Sequence, residues 1–497
     1  LSKRYDVVVI GGRLSAVVTG ALLAKRELRG VLVDQGELAT IGSFERADFP
    51  LVNGASRIRD WVHGQLGLKD DFNRLPTLEP LMQVIWPDSR FDVVGTGPRD
   101  REQACLRSEW GPGLGLEDRQ VRAAFTALAE VDARVERFLL EAPELPPPAG
   151  FFARRSAQSA ARKTPELLQT LDESDLGAAM VSPLRQTLLA LLPFFTHLDL
   201  RDAGDLTVAR IARPLLRVLT GLVRFEPGRS DRSLILELAE RKALEVRRTA
   251  VERLVPEGKG WEVHLAGARD AIRADVVVDA STDLGGLDAI PSKQQGRQLP
   301  LVAQAARPRG ALHGVGFELD RAVLPPDMAT HLLLLNGRRD RSRFDADDPF
   351  GEDRPIWLTL RPGREAQRVQ LLATQPVSTV RARGSQGAPV EEVMRARIER
   401  LIPFFAEGRP ESFALETHRF GASFMPHPFF EPNADDPSGL GGVSMRTPIK
   451  NLFLAGPSVI PALGAEGEYL AAIQVADAVE ALHRGKKVPR ALAALAQ

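Results

Sequence analysis

One cysteine stands among 497 residues. Cys105 alone excludes an internal disulfide framework and any metal site built on several thiolates, and it fits a reducing compartment. Histidine is scarce as well. The eight are scattered and none forms a His-x-x-x-His pair, so no metal site is expected. Charge of one sign is also missing, since 65 basic residues face 65 acidic ones. No global field draws the chain to nucleic acid, and no nucleic-acid partner is expected. Long hydrophobic runs are lacking too: the longest, "LLALLPFF" from Leu188 to Phe195, is far too short to span a bilayer. Residues 1–5 lead straight into a strand pattern rather than a signal peptide. The expected location is the cytosol, at most peripheral to a membrane.

What is present is ordinary for a globular protein: 44% hydrophobic and 26% charged residues, in a chain long enough for two or three domains. "DVVVI" (Asp6–Ile10) is a continuous β-branched run, as expected of a strand buried on both faces of a parallel sheet. A Gly-Gly turn follows, then apolar residues at helical spacing (Leu14, Val17, Val18, Ala21, Leu22), then a second strand, "GVLVD" (Gly30–Asp34). This is one βαβ unit ending in an acid 23 residues after Gly11.

The turn inside that unit departs from the dinucleotide-binding pattern Gly-x-Gly-x-x-Gly/Ala. The chain supplies Gly11, Gly12, Arg13, Leu14, Ser15, Ala16. Gly11 and Gly12 suit a tight turn whose N–H groups face a diphosphate, or simply a βα turn. Ala16 is an accepted substitute for the last glycine, which serves helix–strand packing. Arg13 replaces the glycine that lets backbone approach the pyrophosphate. Two outcomes are open: Arg13 swings out and bonds the phosphates, or it fills the phosphate site and makes a cofactor unnecessary. Asp34 stands where an acid hydrogen-bonds an adenosine ribose; as a strand-ending Asp it is also a common turn former.

Later segments repeat the buried-strand pattern: "ADVVVDAS" (Ala274–Ser281), preceded by a hairpin turning at Glu257–Gly260, and "KNLFLAG" (Lys450–Gly456), followed by a helix from about Gly464 to Arg484. Residues 6–10, 30–34, 274–279 and 451–455 are expected in one mainly parallel sheet. Residues 61–227 read as mostly helical. Residues 300–440 read as an antiparallel sheet carrying helices, with an exposed charged loop at 336–355. Arg210, Arg213, Arg217 and Arg224 recur at near-helical spacing, either on a membrane surface or on the solvated face of a core helix. His418 and His427 are pocket-lining or structural candidates.

This three-segment arrangement resembles the FAD-binding superfamily of amine oxidases, phytoene (carotenoid) desaturases and the flavin-free Rab GDP-dissociation inhibitors. "TPIKNLFLAGPSVIPALGAEGEYLAA" (Thr447–Ala472) is similar to the desaturase type, although Pro457 stands where many relatives have Asp. The resemblance implies an α/β fold: a discontinuous FAD/NAD(P)-binding Rossmann-like domain (1–60, 228–299 and 440–497) with an inserted α+β substrate domain (61–227 and 300–439). It implies FAD held by Gly11, Gly12, Arg13, Ala16, Asp34, Gly42, Val251, Gly456, Pro461, Gly464 and Gly467. After Asp34 only Gly42 survives of the glycine pair that relatives place over the flavin. Val251 occupies the place where relatives use backbone groups to hold adenine, and is equally a buried strand valine.

Glu466 and Glu468, in the first turn of the last helix, are unusual for the superfamily. They suit any helix dipole; otherwise they compensate Arg13 or act as acid/base catalysts. The resemblance implies hydride abstraction by FAD from a lipophilic substrate, in an apolar cavity beside Gly464. Its alternative is a flavin-free relative that binds a lipid, an isoprenoid chain or a protein partner.

Overall fold

The computed structural model describes residues 4–38, 51–52, 56–69, 75, 77–95, 109–142, 147–148, 151–164, 168–200, 207–223, 230–242, 244–282, 284–335, 354–378, 390–414, 418–419, 422–423, 427–433, 436, 438–485 and 491–492. Gly42, Cys105, Arg224 and most of the 336–355 loop lie outside these residues.

The β-branched run Val7–Ile10 is fully buried at the centre of a sheet, because helices cover both faces of a parallel strand. Strand β1 (Arg4–Ile10) turns at Gly11–Gly12 into helix α1 (Leu14–Lys25). The chain returns as β2 (Gly30–Asp34), parallel to β1 from Val7↔Gly30 to Ile10↔Val33. Every residue of α1 from Ser15 to Leu23 is buried, so the helix is wrapped by protein rather than set on the surface.

The chain then builds helices α2 (Asp118–Glu141), α3 (Phe151–Ala161) and α4 (Val208–Thr220). Helix α5 (Asp231–Arg241), strand β3 (Glu245–Arg248), the hairpin β4 (Val251–Glu257)–β5 (Gly260–Leu265) and strand β6 (Ile272–Asp279) return it to the first sheet. Strand β7 (Leu452–Leu454) and helix α6 (Gly464–Arg484) complete the layer. The strand order is β3-β2-β1-β6-β5-β4, and β7 also pairs with β6. β6 changes partner along its length: Ile272–Ala274 pair antiparallel with β5, and Val277–Asp279 pair parallel with β7. Helix α1 packs between α5 and α6, so the Gly11–Arg13 turn meets the start of α6. The three-segment parallel sheet read from the sequence is present.

A second sheet runs through residues 411–414, 310–320, 368–378, 356–362, 331–334, 82–86 and 89–93, in that order. All its pairings are antiparallel except 331–334 with 82–86. A helix at 390–401 seals one face through Met394 and Ile398. The strand pair 82–93 corrects the helical reading of that stretch. "MQVIW" has four apolar residues among five, too short a stretch for periodicity to separate strand from helix.

Candidate functional site

The two-glycine turn opens α1: Gly11 N–H donates to the Val33 carbonyl at 2.9 Å, while Gly12 N–H and Ser15 N–H each already have a carboxylate. Gly12 N–H donates to Glu37 Oε2 at 2.7 Å, and Thr282 N–H donates to Glu37 Oε1 at 2.7 Å. One carboxylate thus bridges the turn after β1 and the turn after β6, as a bound anion would. Ser15 N–H donates to Glu468 Oε2 at 3.1 Å. Arg13 is 5% exposed; its Nη2 lies 3.2 Å from Glu468 Oε1, and its Nη1 donates to Thr282 Oγ1 at 3.3 Å. Two carboxylates and one guanidinium therefore fill the mouth of the helix, with the guanidinium balancing Glu468.

Backbone packing narrows the same place. A Cβ on Gly12 would sit 2.6 Å from Leu38 N and 2.8 Å from Asp34 Oδ1. Gly11 has φ +121, and a Cβ there would lie 2.8 Å from the Ala280 carbonyl. That glycine serves the close approach of β1 to the turn after β6. Ala16 is fully buried. From α5, Arg232 donates to the Gly12 carbonyl (3.2 Å) and the Leu38 carbonyl (3.3 Å), fastening the turn at 35–38 over the glycines.

The adenosine side is also engaged from within. Asp34 is 3% exposed, and its Oδ1 accepts from Gly36 N–H (3.1 Å) and Leu38 N–H (3.0 Å). Burial pushes its carboxyl upward against those two bonds and the nearby cations Arg232 and Arg248. Asp34 here closes its own turn, the second of the two roles read from the sequence. Val251 N–H, the expected adenine contact, donates to the Gln35 side-chain oxygen at 3.1 Å.

At the other end, Pro461 opens a single 3-10 turn and its carbonyl accepts from His197 N–H at 2.8 Å. Gly464 has φ +54, and a Cβ would fall 2.1 Å from the Phe195 carbonyl; at Gly467 it would fall 2.1 Å from the Ile460 carbonyl. The start of α6 therefore packs directly on the end of the 182–195 helix. Gly456 has room for a side chain, its nearest neighbour being 3.7 Å away. A cavity between Pro193, Leu198, Arg354, Pro376 and Phe429 has a volume of about 10 Å³, room for roughly one water.

Glu466 and Glu468 take separate roles. Arg213 meets Glu466 through Nε (2.6 Å) and Nη2 (2.8 Å), and Ser56 Oγ also donates to it. Against the upward push of burial, Arg213 brings the Glu466 carboxyl down to about 2. Glu468 is held well below the usual carboxylate range by Arg13, again against burial. Its Oε1 is 3.5 Å from His197 Nε2. His197 stacks on His427 with ring centroids 4.5 Å apart, and burial pushes both imidazoles downward. Of the pair, Glu468 is the residue that compensates Arg13. Both carboxylates are ionised and ion-paired, which does not suit a general acid.

Sequence reasoning missed Glu37, Gln35, Arg232 and Thr282. The available signal was Glu37 itself, an acid three residues past Asp34 in the turn that follows the second strand. Among the described residues no cluster of His, Cys, Asp or Glu could hold a metal ion, and no helix is long and apolar enough to cross a membrane. The side chain of His418 lies outside the described residues.

The architecture is that of the FAD-dependent amine oxidases. A variant of putrescine oxidase superposes with a TM-score of 0.57 at 14% identity, covering 97% of this chain and 100% of that one. Cyclohexylamine oxidase from Brevibacterium oxydans gives 0.51 at 14% identity, covering 97% and 100%. An oxidoreductase from Methanosarcina mazei gives 0.54 at 11% identity, covering 95% and 99%. Likeness at these identities is a likeness of fold. No protein-family model and no curated protein sequence matches the chain.

Proposed function

We propose that this chain is a flavin-free binding protein on the amine-oxidase fold, with two of its own carboxylates seated where a dinucleotide diphosphate would rest. The observation that carries the reading is the Glu37 carboxylate bridging Gly12 N–H and Thr282 N–H. Around it, Asp34 and Val251 N–H, which the resemblance assigns to FAD, are engaged by the turn at 36–38 and by Gln35, and the neighbouring Ser15 N–H is taken by Glu468. These residues do not fit FAD as they stand.

Energy favours the internal arrangement. A tethered carboxylate loses little entropy on binding, whereas a free ligand must also cover its translational cost. A diphosphate placed beside Glu37 and Glu468 would face like charges with Arg13 close by. Two unit charges about 4 Å apart repel by roughly 4 kcal/mol at an effective dielectric of about 20. Bonds of typical net worth, about 0.5–1.5 kcal/mol each, do not offset that.

The fold favours a second reading, an FAD-dependent oxidoreductase acting on a lipophilic substrate. It requires Glu37 and Glu468 to leave the turn and Arg13 to grip the phosphates. Titration calorimetry of FAD into the full chain separates the two. No binding heat is expected; tight binding of one FAD per chain overturns the flavin-free reading.

A further inference from the structure

The basic stripe that the sequence offers to a membrane is not on the surface. Helix α4 is buried along its whole length: Arg213 and Arg217 bond Asp132 of α2, and Arg210 bonds the Gly439 carbonyl. A different helix carries exposed cations. In α3 and the turn after it, Arg154, Arg155, Arg162 and Lys163 are all exposed. Residues 151–164 contain those four cations and no acid, in a chain whose charges otherwise balance.

An apolar side chain accompanies them. Phe152 is 85% exposed, more than any other large apolar residue among the described ones. Ala157 and Ala161, at 4% and 1%, anchor the helix to the body. Arg162 N–H donates to the Gln158 carbonyl, so the helical path continues to residue 162. At 3.6 residues per turn, Phe152, Arg155, Ser159 and Arg162 fall on one line, roughly opposite the two anchoring alanines. The outward line of α3 therefore presents an aromatic ring at one end and guanidinium groups along the rest.

We propose that α3 docks on an anionic lipid bilayer, lying in the interface with Phe152 among the upper acyl chains and with Arg155, Arg162 and the adjacent Lys163, on the same side of the helix, against the headgroups. Charge complementarity selects the anionic surface. The aromatic ring in line with the cations selects a bilayer over an acidic protein or nucleic acid, which would leave that ring in water. Docking of this kind supplies the partner that the flavin-free reading calls for, and rests on that reading for its purpose. Flavin content and vesicle binding are separate signals, so either can fail without the other.

The test is flotation of the full chain with vesicles of phosphatidylcholine alone or mixed with phosphatidylserine. The wild type is expected to float with the mixed vesicles at low salt, to lose binding as salt rises, and to ignore phosphatidylcholine alone. Each cation at an anionic surface multiplies partitioning roughly fivefold, so Arg155→Glu with Arg162→Glu weakens it at least about 25-fold. Phe152→Ser weakens it roughly tenfold. All these positions are exposed, and an unchanged melting temperature verifies that the variants fold. Three results overturn the proposal: no flotation of folded wild type at low salt, flotation that neither variant changes, or binding that the charge variant loses while Phe152→Ser retains it in full.

Discussion

Arg13 stands where a glycine would let phosphate approach backbone, and it is buried against Glu468. The departure is legible in the sequence, and so is a counter-charge in the last helix, because a buried guanidinium demands one. Glu37 was not legible as its neighbour. It lies in an irregular turn, and only the fold brings it onto the N–H groups of Gly12 and Thr282. Arg13→Gly is expected to bind no FAD, since Glu37 still covers the turn. It also leaves the Glu468 carboxylate buried without its cation, at a cost of about 3–5 kcal/mol. Urea unfolding followed by circular dichroism measures the loss. A variant as stable as wild type, or one that takes up FAD, contradicts this account of Arg13.

At the scale of elements, the parallel strands were legible because burial on both faces leaves a continuous β-branched signature. The role of α4 was not. Its arginines follow helical spacing whether they face water or Asp132, and the partner lies on another helix far away in sequence. A second link of this kind joins three helices. His63, on the helix at 57–66, donates from Nε2 to Tyr469 Oη of α6 (3.0 Å), and Tyr469 donates to Asp231 Oδ2 at the start of α5 (2.7 Å).

Burial, with some help from Arg59, pushes the His63 imidazole down to about 3. An unfolded histidine titrates near about 6.5. Between those values the unfolded chain binds more protons, so stability is complete above about 6.5 and falls as pH drops toward about 3. His197 and His427 shift the same way. His63→Gln keeps a donor for Tyr469 and does not titrate. It is therefore expected to make the melting temperature less steep across that window by the His63 share. Identical pH profiles for wild type and variant contradict the assignment.

At the scale of the whole molecule, the chain has the amine-oxidase fold, while Glu37, Glu468 and Gln35 engage the N–H groups of Gly12, Thr282, Ser15 and Val251 from within. Fold was readable from strand patterning and from motifs near both ends. Occupancy of the site was not, because it depends on which side chains converge, and one sequence does not specify that convergence. Balanced charge over the chain also hides a local excess on α3, which only the exposure of Arg154, Arg155, Arg162 and Lys163 reveals. The most direct measurement of the central claim is the visible absorption of the full chain, purified with excess FAD and then desalted. The account predicts a colourless protein that retains no flavin. A flavin band equivalent to one FAD per chain would contradict it.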